Sequence, residues 1–124
     1  MTYRAVVRGD LETLRHLIAS DAVWHIGGDN PLSGDYRGHE EIFEYWRRAT
    51  DETGGGLEIE VRDVMASDAH AAVLSFNRGA RGEEADASRR YEGRELALFR
   101  IDDARIVEAW FYQDDMEGWD EFWS

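Results

Sequence analysis

Apolar residues recur at helical spacing in part of this chain and alternate with polar ones in the rest. Leu11, Leu14, Leu17 and Ile18 form a helical stripe behind Asp10, a favourable N-cap, and a shorter helix over residues 3–8 ends at Gly9. Residues 22–26 carry β-branched and aromatic side chains before Gly27-Gly28 and predict a strand. Residues 28–38, which include Pro31, predict a loop. A third helix follows over residues 39–49, with Ile42, Phe43, Trp46 and Ala49 on one face and Glu40, Glu41, Glu44, Arg47 and Arg48 mostly off it.

Beyond Thr53-Gly54-Gly55-Gly56 the period changes from helical to alternating. Leu57, Ile59 and Val61 alternate with Glu58, Glu60 and Arg62, the pattern of a half-buried antiparallel strand. A long strand over residues 69–81 and an exposed, acidic hairpin loop over 82–88 come next. Residues 90–101 and 105–113 then form a hairpin across Asp102-Asp103-Ala104. Met116, Trp119, Phe122 and Trp123 return to helical spacing and predict a docked terminal helix. Helices with one strand among them, followed by strands in antiparallel succession, give the class α+β. A chain of 124 residues favours a single domain over residues 1–124.

Composition narrows the chemistry. Fourteen basic residues against 27 acidic ones leave a net charge of −13, which repels phosphate backbones and anionic membrane surfaces. No nucleic-acid or membrane partner is expected, and no apolar run approaches the roughly 20 residues of a membrane helix. The N-terminal residues lack the apolar stretch of a signal peptide, so a cytoplasmic location is expected. There is no cysteine and no lysine, which removes thiol nucleophiles, thiolate metal sites and Schiff-base chemistry. The histidines His16, His25, His39 and His70 are scattered without metal-ligand spacing, so no metal is expected.

Three acid/base candidates remain. His25 lies within an apolar strand, either as a backbone-bonded structural histidine or as a general base or donor in a cavity. Asp114 and Asp115 follow the last strand, where a desolvated carboxylate can act as acid or base and an aspartate can equally cap the terminal helix. Trp24, Tyr36, Trp46, Phe99, Trp110 and Phe111 are either ordinary core or the wall of an apolar pocket.

The run Ala22-Val23-Trp24-His25-Ile26, then Pro31-Leu32-Ser33-Gly34-Asp35-Tyr36-Arg37-Gly38-His39-Glu40, resembles SnoaL-like proteins of the nuclear transport factor 2-like superfamily. Phe99 to Asp102, Arg105 to Trp110 and the tail Asp115 to Trp123 are similar to the same proteins' last hairpin and terminus, and Gly9-Asp10-Leu11 to their first helix break. The resemblance implies a cone-shaped curved sheet wrapped around helices, one apolar pocket, a homodimer through the sheet and cofactor-free proton chemistry on an apolar carbonyl compound. Ketosteroid isomerisation is not expected: the positions of that enzyme's general base, oxyanion tyrosine and protonated acid fall on Ile26, Thr2 (beside Tyr3) and Ala97. The polyketide-cyclase pattern instead puts its catalytic aspartate at Asp114, four residues after Trp110, whereas the wider family's register points to Asp115.

Strand parity leaves two orientations open. Glu108, Trp110, Tyr112 and Asp114 share one face of the last strand and Ala109, Phe111 and Gln113 the other, while Trp24 and His25 oppose one another. Two functions stay open with them. One is an isomerase, cyclase or dehydratase using Asp114 with His25 or Asp115; the other is a non-catalytic module that binds an apolar small molecule or dimerises.

Overall fold

The computed structural model describes residues 11–53, 57–80 and 90–124. The helix expected over residues 3–8, the Asp10 cap, the Gly54–Gly56 turn and the loop over 82–88 lie outside the described residues. The order of elements is α1 (Leu11–Leu17), β1 (Ile18–Ile26), β2 (Gly34–Arg37), α2 (Gly38–Glu52), β3 (Glu58–Ala66), β4 (His70–Ala80), β5 (Arg90–Asp102), β6 (Arg105–Gln113) and α3 (Met116–Trp123). This is the expected α+β class.

All six strands form one curved, open sheet in the order β2-β1-β6-β5-β4-β3. Every pairing is antiparallel except β1 with β6, which lie parallel because the rest of the chain intervenes between them. Register shifts between Ile18 and Val23, Val61 and Asp63, and Arg100 and Ile101 interrupt the ladders. Such bulges bend strands and increase their twist.

The inner face of this sheet is the core. Trp24, Val73, Ala97, Phe99, Ala109 and Phe111 are buried there, beneath Ile42, Phe43, Tyr45 and Ala49 of α2 and Trp119, Phe122 and Trp123 of α3. The charged face of α2 is exposed as its period requires, and Arg47 bridges Glu44 and Asp51 along it. The α2 N-terminus has no side-chain cap from Arg37; Glu41 instead accepts the Arg37 backbone N–H at 2.9 Å.

Four details differ from the sequence reading. Ile18 belongs to β1, where its 1% exposure shows that burial on the sheet accounts for its hydrophobicity as well as a helical stripe would. The loop expected over 28–38 contains β2, a four-residue edge strand too short for an alternation signal. The third helix runs on to Glu52 and closes at Thr53, whose hydroxyl bonds the Ala49 carbonyl at 2.9 Å. Finally, β3 is not half buried: Val61, Val64 and Met65 are exposed, because among the described residues this edge strand pairs with β4 alone and the Val61/Asp63 shift breaks its alternation.

Candidate functional site

Inward positions alternate along β4, β5 and β6, and four of them are polar. Ser75, Glu95 and Gln113 lie side by side across the three strands, and Asn77 lies one row away beside Gly93. Ser75, Asn77 and Glu95 are only 0%, 2% and 6% exposed. The Gln113 amide donates to Glu95 Oε2 at 2.6 Å and the Asn77 amide donates to the same oxygen at 3.1 Å. Ser75 Oγ donates to Asn77 Oδ1 at 3.2 Å, and the Tyr91 hydroxyl donates to Gln113 Oε1 at 3.1 Å. One carboxyl is thus held by two amides whose own oxygens are fixed by two hydroxyls.

Tyr91 reaches Gln113 by lying over Gly93. A Cβ at Gly93 would collide with the Tyr91 hydroxyl, stand 2.7 Å from Cζ and 2.9 Å from Asp114 Oδ1. The Tyr91 ring packs edge-on against Trp119 at 5.0 Å and against Phe122 at 6.1 Å, so α3 roofs this end of the row. Burial pushes the Tyr91 phenol well above its ordinary range, and the negative charges of Asp114, Asp115 and Glu95 push it further. The buried Tyr45 phenol, on α2, is raised by the same causes: burial first, then Glu95 and Tyr36. Both phenols are therefore donors at neutral pH.

Aromatic rings continue the inner wall. Trp24, Phe99 and Phe111 meet with centroids 5.5–6.0 Å apart. Tyr36 contacts Tyr45 at 4.9 Å, and Tyr45 contacts Trp46 at 5.5 Å. Five of the six expected wall residues are thus gathered on the inner side. Among the described residues, the buried indole N–H groups of Trp24 and Trp46 have no hydrogen-bond partner. Trp110 is on the opposite face, stacked on His25 at 5.5 Å.

The three acid/base candidates are not brought together. His25 points away from the core because Trp24 takes the inward position. Its Nδ1 meets Asp35 Oδ1 at 2.8 Å and its Nε2 meets Glu108 Oε2 at 2.6 Å, with Arg100 on the other Glu108 oxygen at 3.2 Å. Only a doubly protonated imidazole donates to both carboxylates. Burial pulls the His25 pKa down, but the bonds to Glu108 and Asp35 outweigh it and the net shift is upward.

Asp114 sits at the rim where β6 ends. It accepts the Arg94 backbone N–H at 3.0 Å and Arg94 Nε at 3.1 Å. Desolvation at the strand end raises its pKa as the sequence suggested, but the bonds from Arg94 prevail and hold the carboxyl below its ordinary range. Asp115 caps α3, accepting the Gly118 N–H at 2.9 Å. Among the described residues, no three His, Asp or Glu side chains converge to hold a metal ion.

Glu95, Gln113, Asn77, Ser75, Tyr91 and Tyr45 were absent from the sequence-based candidates. Parity could have found Glu95 and Gln113: if Ala97 and Phe111 face inward, so do residues two positions away on each strand.

A curved open sheet, roofed on one face by helices and carrying a buried carboxyl among amides, phenols and aromatics, is the architecture of a small pocket protein. The pattern of the SnoaL-like domain matches residues 1–109, and the chain belongs to that family. Its fold is similar to that of Bal32a from a soil-derived mobile gene cassette, at 30% identity and a TM-score of 0.90, covering 99% of this chain and 91% of that one. A Xanthomonas campestris protein of unknown function with a cystatin-like fold is 27% identical with a TM-score of 0.85, covering 98% and 91% of the two chains. IdmH, a putative polyketide cyclase from Streptomyces antibioticus, is 29% identical with a TM-score of 0.74, covering 96% and 91%. No curated protein matches the sequence.

Proposed function

We propose that the protein is a cofactor-free acid/base enzyme, of cyclase, isomerase or dehydratase type, acting on an apolar carbonyl compound at the inner face of the sheet. Glu95 is the proton-handling group, and its burial carries the reading. Removing a carboxyl from water costs several kcal/mol and seldom stabilises a fold, so a buried one held by a built network is suited to chemistry. Asn77 and Gln113 fix its orientation. Tyr91, kept protonated by burial and then by the negative charges of Asp114, Asp115 and Glu95, holds Gln113 in place, and the indole N–H groups of Trp24 and Trp46, unpartnered among the described residues, suit acceptor oxygens on a ligand. The cyclase description of IdmH supports choosing polyketide-like carbonyl compounds first.

The test is a panel of aromatic and polyketide-like carbonyl compounds, screened for binding by native mass spectrometry and for conversion by chromatography. Glu95→Gln is expected to keep binding and to lose about 10²–10⁴-fold in turnover, the usual contribution of a positioned acid or base. Undiminished turnover by that variant sinks the assignment. Binding without conversion by the unaltered chain selects the non-catalytic module.

A second copy of the chain is the partner proposed for the outer face. Leu96 and Tyr112 are 39% and 50% exposed there, beside Trp110 and a groove of about 270 Å³ lined in part by Leu74, Leu96 and Tyr112. The charges around these residues are paired within the face, Arg94 with Asp114 and Arg100 with Glu108, so a chain of net charge −13 can still approach its copy here. Sedimentation should show a dimer that Tyr112→Glu converts to monomer; a monomeric unaltered chain refutes it.

A further inference from the structure

The loop over residues 27–33, between β1 and β2, is built unlike an ordinary surface connection. Leu32 is 1% exposed and belongs to the same core as Trp24 and Tyr45. The loop is also a unit in itself. Asn30 Oδ1 accepts the Leu32 N–H at 2.9 Å, the Ser33 N–H bonds the Asn30 carbonyl at 3.0 Å, and Ser33 Oγ donates to the Gly27 carbonyl at 3.0 Å.

This unit is fastened to both helices that roof the inner face. From α3, Asp120 Oδ1 accepts the Asp29 N–H and the Asn30 amide, each at 2.8 Å. From α2, Arg48 donates to the Pro31 carbonyl at 3.3 Å. The Tyr36 hydroxyl, from β2, donates to the Leu32 carbonyl at 2.6 Å. Gly28, near the loop's start, and Gly34, just past its end, have φ +92 and +140, conformations in which glycine absorbs backbone rotation without strain. At Gly28 a side chain would strike Asp120 itself, so the latch and the hinge are in contact.

We propose that this loop is a gate to the inner-face site, with Leu32 as its plug and Asp120 as its principal latch. Releasing Asp120 frees two donors at the loop's tip while the Leu32–Asn30 and Ser33–Asn30 bonds within it persist. The loop then swings about Gly28 and Gly34, giving up the Ser33–Gly27, Arg48–Pro31 and Tyr36–Leu32 bonds as Leu32 leaves the core. The gate is independent of any chemistry at Glu95 and is tested without a substrate.

The chain has no cysteine, so one placed on the inner wall reports access directly. Ala97→Cys puts a thiol at a position of 0% exposure on β5, and Ala109→Cys does the same on β6 should the first not fold. Alkylation by iodoacetamide is followed by intact mass, and unfolding free energy is measured by urea on the same variants. Adding Asp120→Ala should speed alkylation at least tenfold beyond any increase that its loss of global stability explains. Arg48→Met, which releases the α2 fastening together with the Arg48–Glu52 pair and leaves the Asp120 latch in place, should give a smaller acceleration of the same kind. Hydrogen exchange should quicken at residues 29–33 and not in β5 or β6. Acceleration no greater than the global stability change predicts, or equal exchange at residues 29–33 with and without Asp120, overturns the gate whether or not Glu95 is catalytic.

Discussion

Gly93→Ala isolates the feature on which the polar row depends. Gly93 faces inward from β5, and Tyr91 lies across it to reach Gln113 at 3.1 Å. The new methyl would strike the Tyr91 hydroxyl, approach Cζ to 2.7 Å and meet Asp114 Oδ1 at 2.9 Å. Asp114 is pinned by Arg94, and Tyr91 is wedged against Trp119 and Phe122, so neither yields freely. Overpacking of this kind costs about 1–3 kcal/mol. Displacing the phenol from Gln113 costs about 1 kcal/mol more. Alanine's advantage over glycine inside a strand offsets about 0.5–1 kcal/mol of this. A net loss of about 1–3 kcal/mol follows, at roughly 3–6 °C of melting temperature per kcal/mol for a chain of this size. Urea and thermal unfolding monitored by circular dichroism measure it. The decisive comparison is a double-mutant cycle with Tyr91→Leu, which removes the ring atoms that the methyl meets. In that background Gly93→Ala should cost at least 1 kcal/mol less. Additive costs, with a coupling below about 0.5 kcal/mol, would show that the glycine is not there for Tyr91.

Two further outcomes follow from single side chains. His25 is raised above 6.5 by Glu108 and Asp35 against the pull of burial, so its bridge contributes stability that is complete below pH 6.5 and is lost as pH rises through the folded-state value. An NMR titration should place the His25 midpoint above 6.5, Glu108→Gln should lower it, and His25→Gln should abolish that part of the stability profile; a midpoint at or below 6.5 contradicts the bridge. Asp115→Ala removes the α3 cap and should destabilise the chain by about 0.5–2 kcal/mol in urea unfolding, whereas Asp115→Asn, which can still cap, should lose far less.

The fold was largely legible because its elements announce themselves locally. Helical stripes at Ile42–Ala49 and Met116–Trp123 and alternation in β4, β5 and β6 need nothing beyond the neighbouring residues. What escaped was set by tertiary position. Ile18 fits a helix stripe and a strand equally well, and the sheet decides. β3 alternates at its start, yet its exposure follows from being an edge strand with a slipped register. β2 has four residues and gains its structure by pairing with β1.

The site was less legible, for a reason lodged in the period of a strand. His25 and Asp114 drew attention because reactive residue types stand beside apolar ones in sequence, but neighbours along a strand face opposite ways. Trp24 inward requires His25 outward, and Phe111 inward requires Trp110 and Tyr112 outward. The residues that do share a face are two apart along each strand and are joined across strands by register. Glu95 meets Gln113 on β6 and Ser75 on β4 only once the hairpins are closed with the right offset. A one-residue slip between β5 and β6 would bring Tyr112 or Asp114 opposite Glu95 and lose the amide that now holds it. The position of the Asp102–Ala104 turn, with Asp103 and Ala104 at positive φ, therefore bears on the carboxyl near the far end of the hairpin. A change of register made at that turn would change the partners of Glu95 without altering any inner-face side chain.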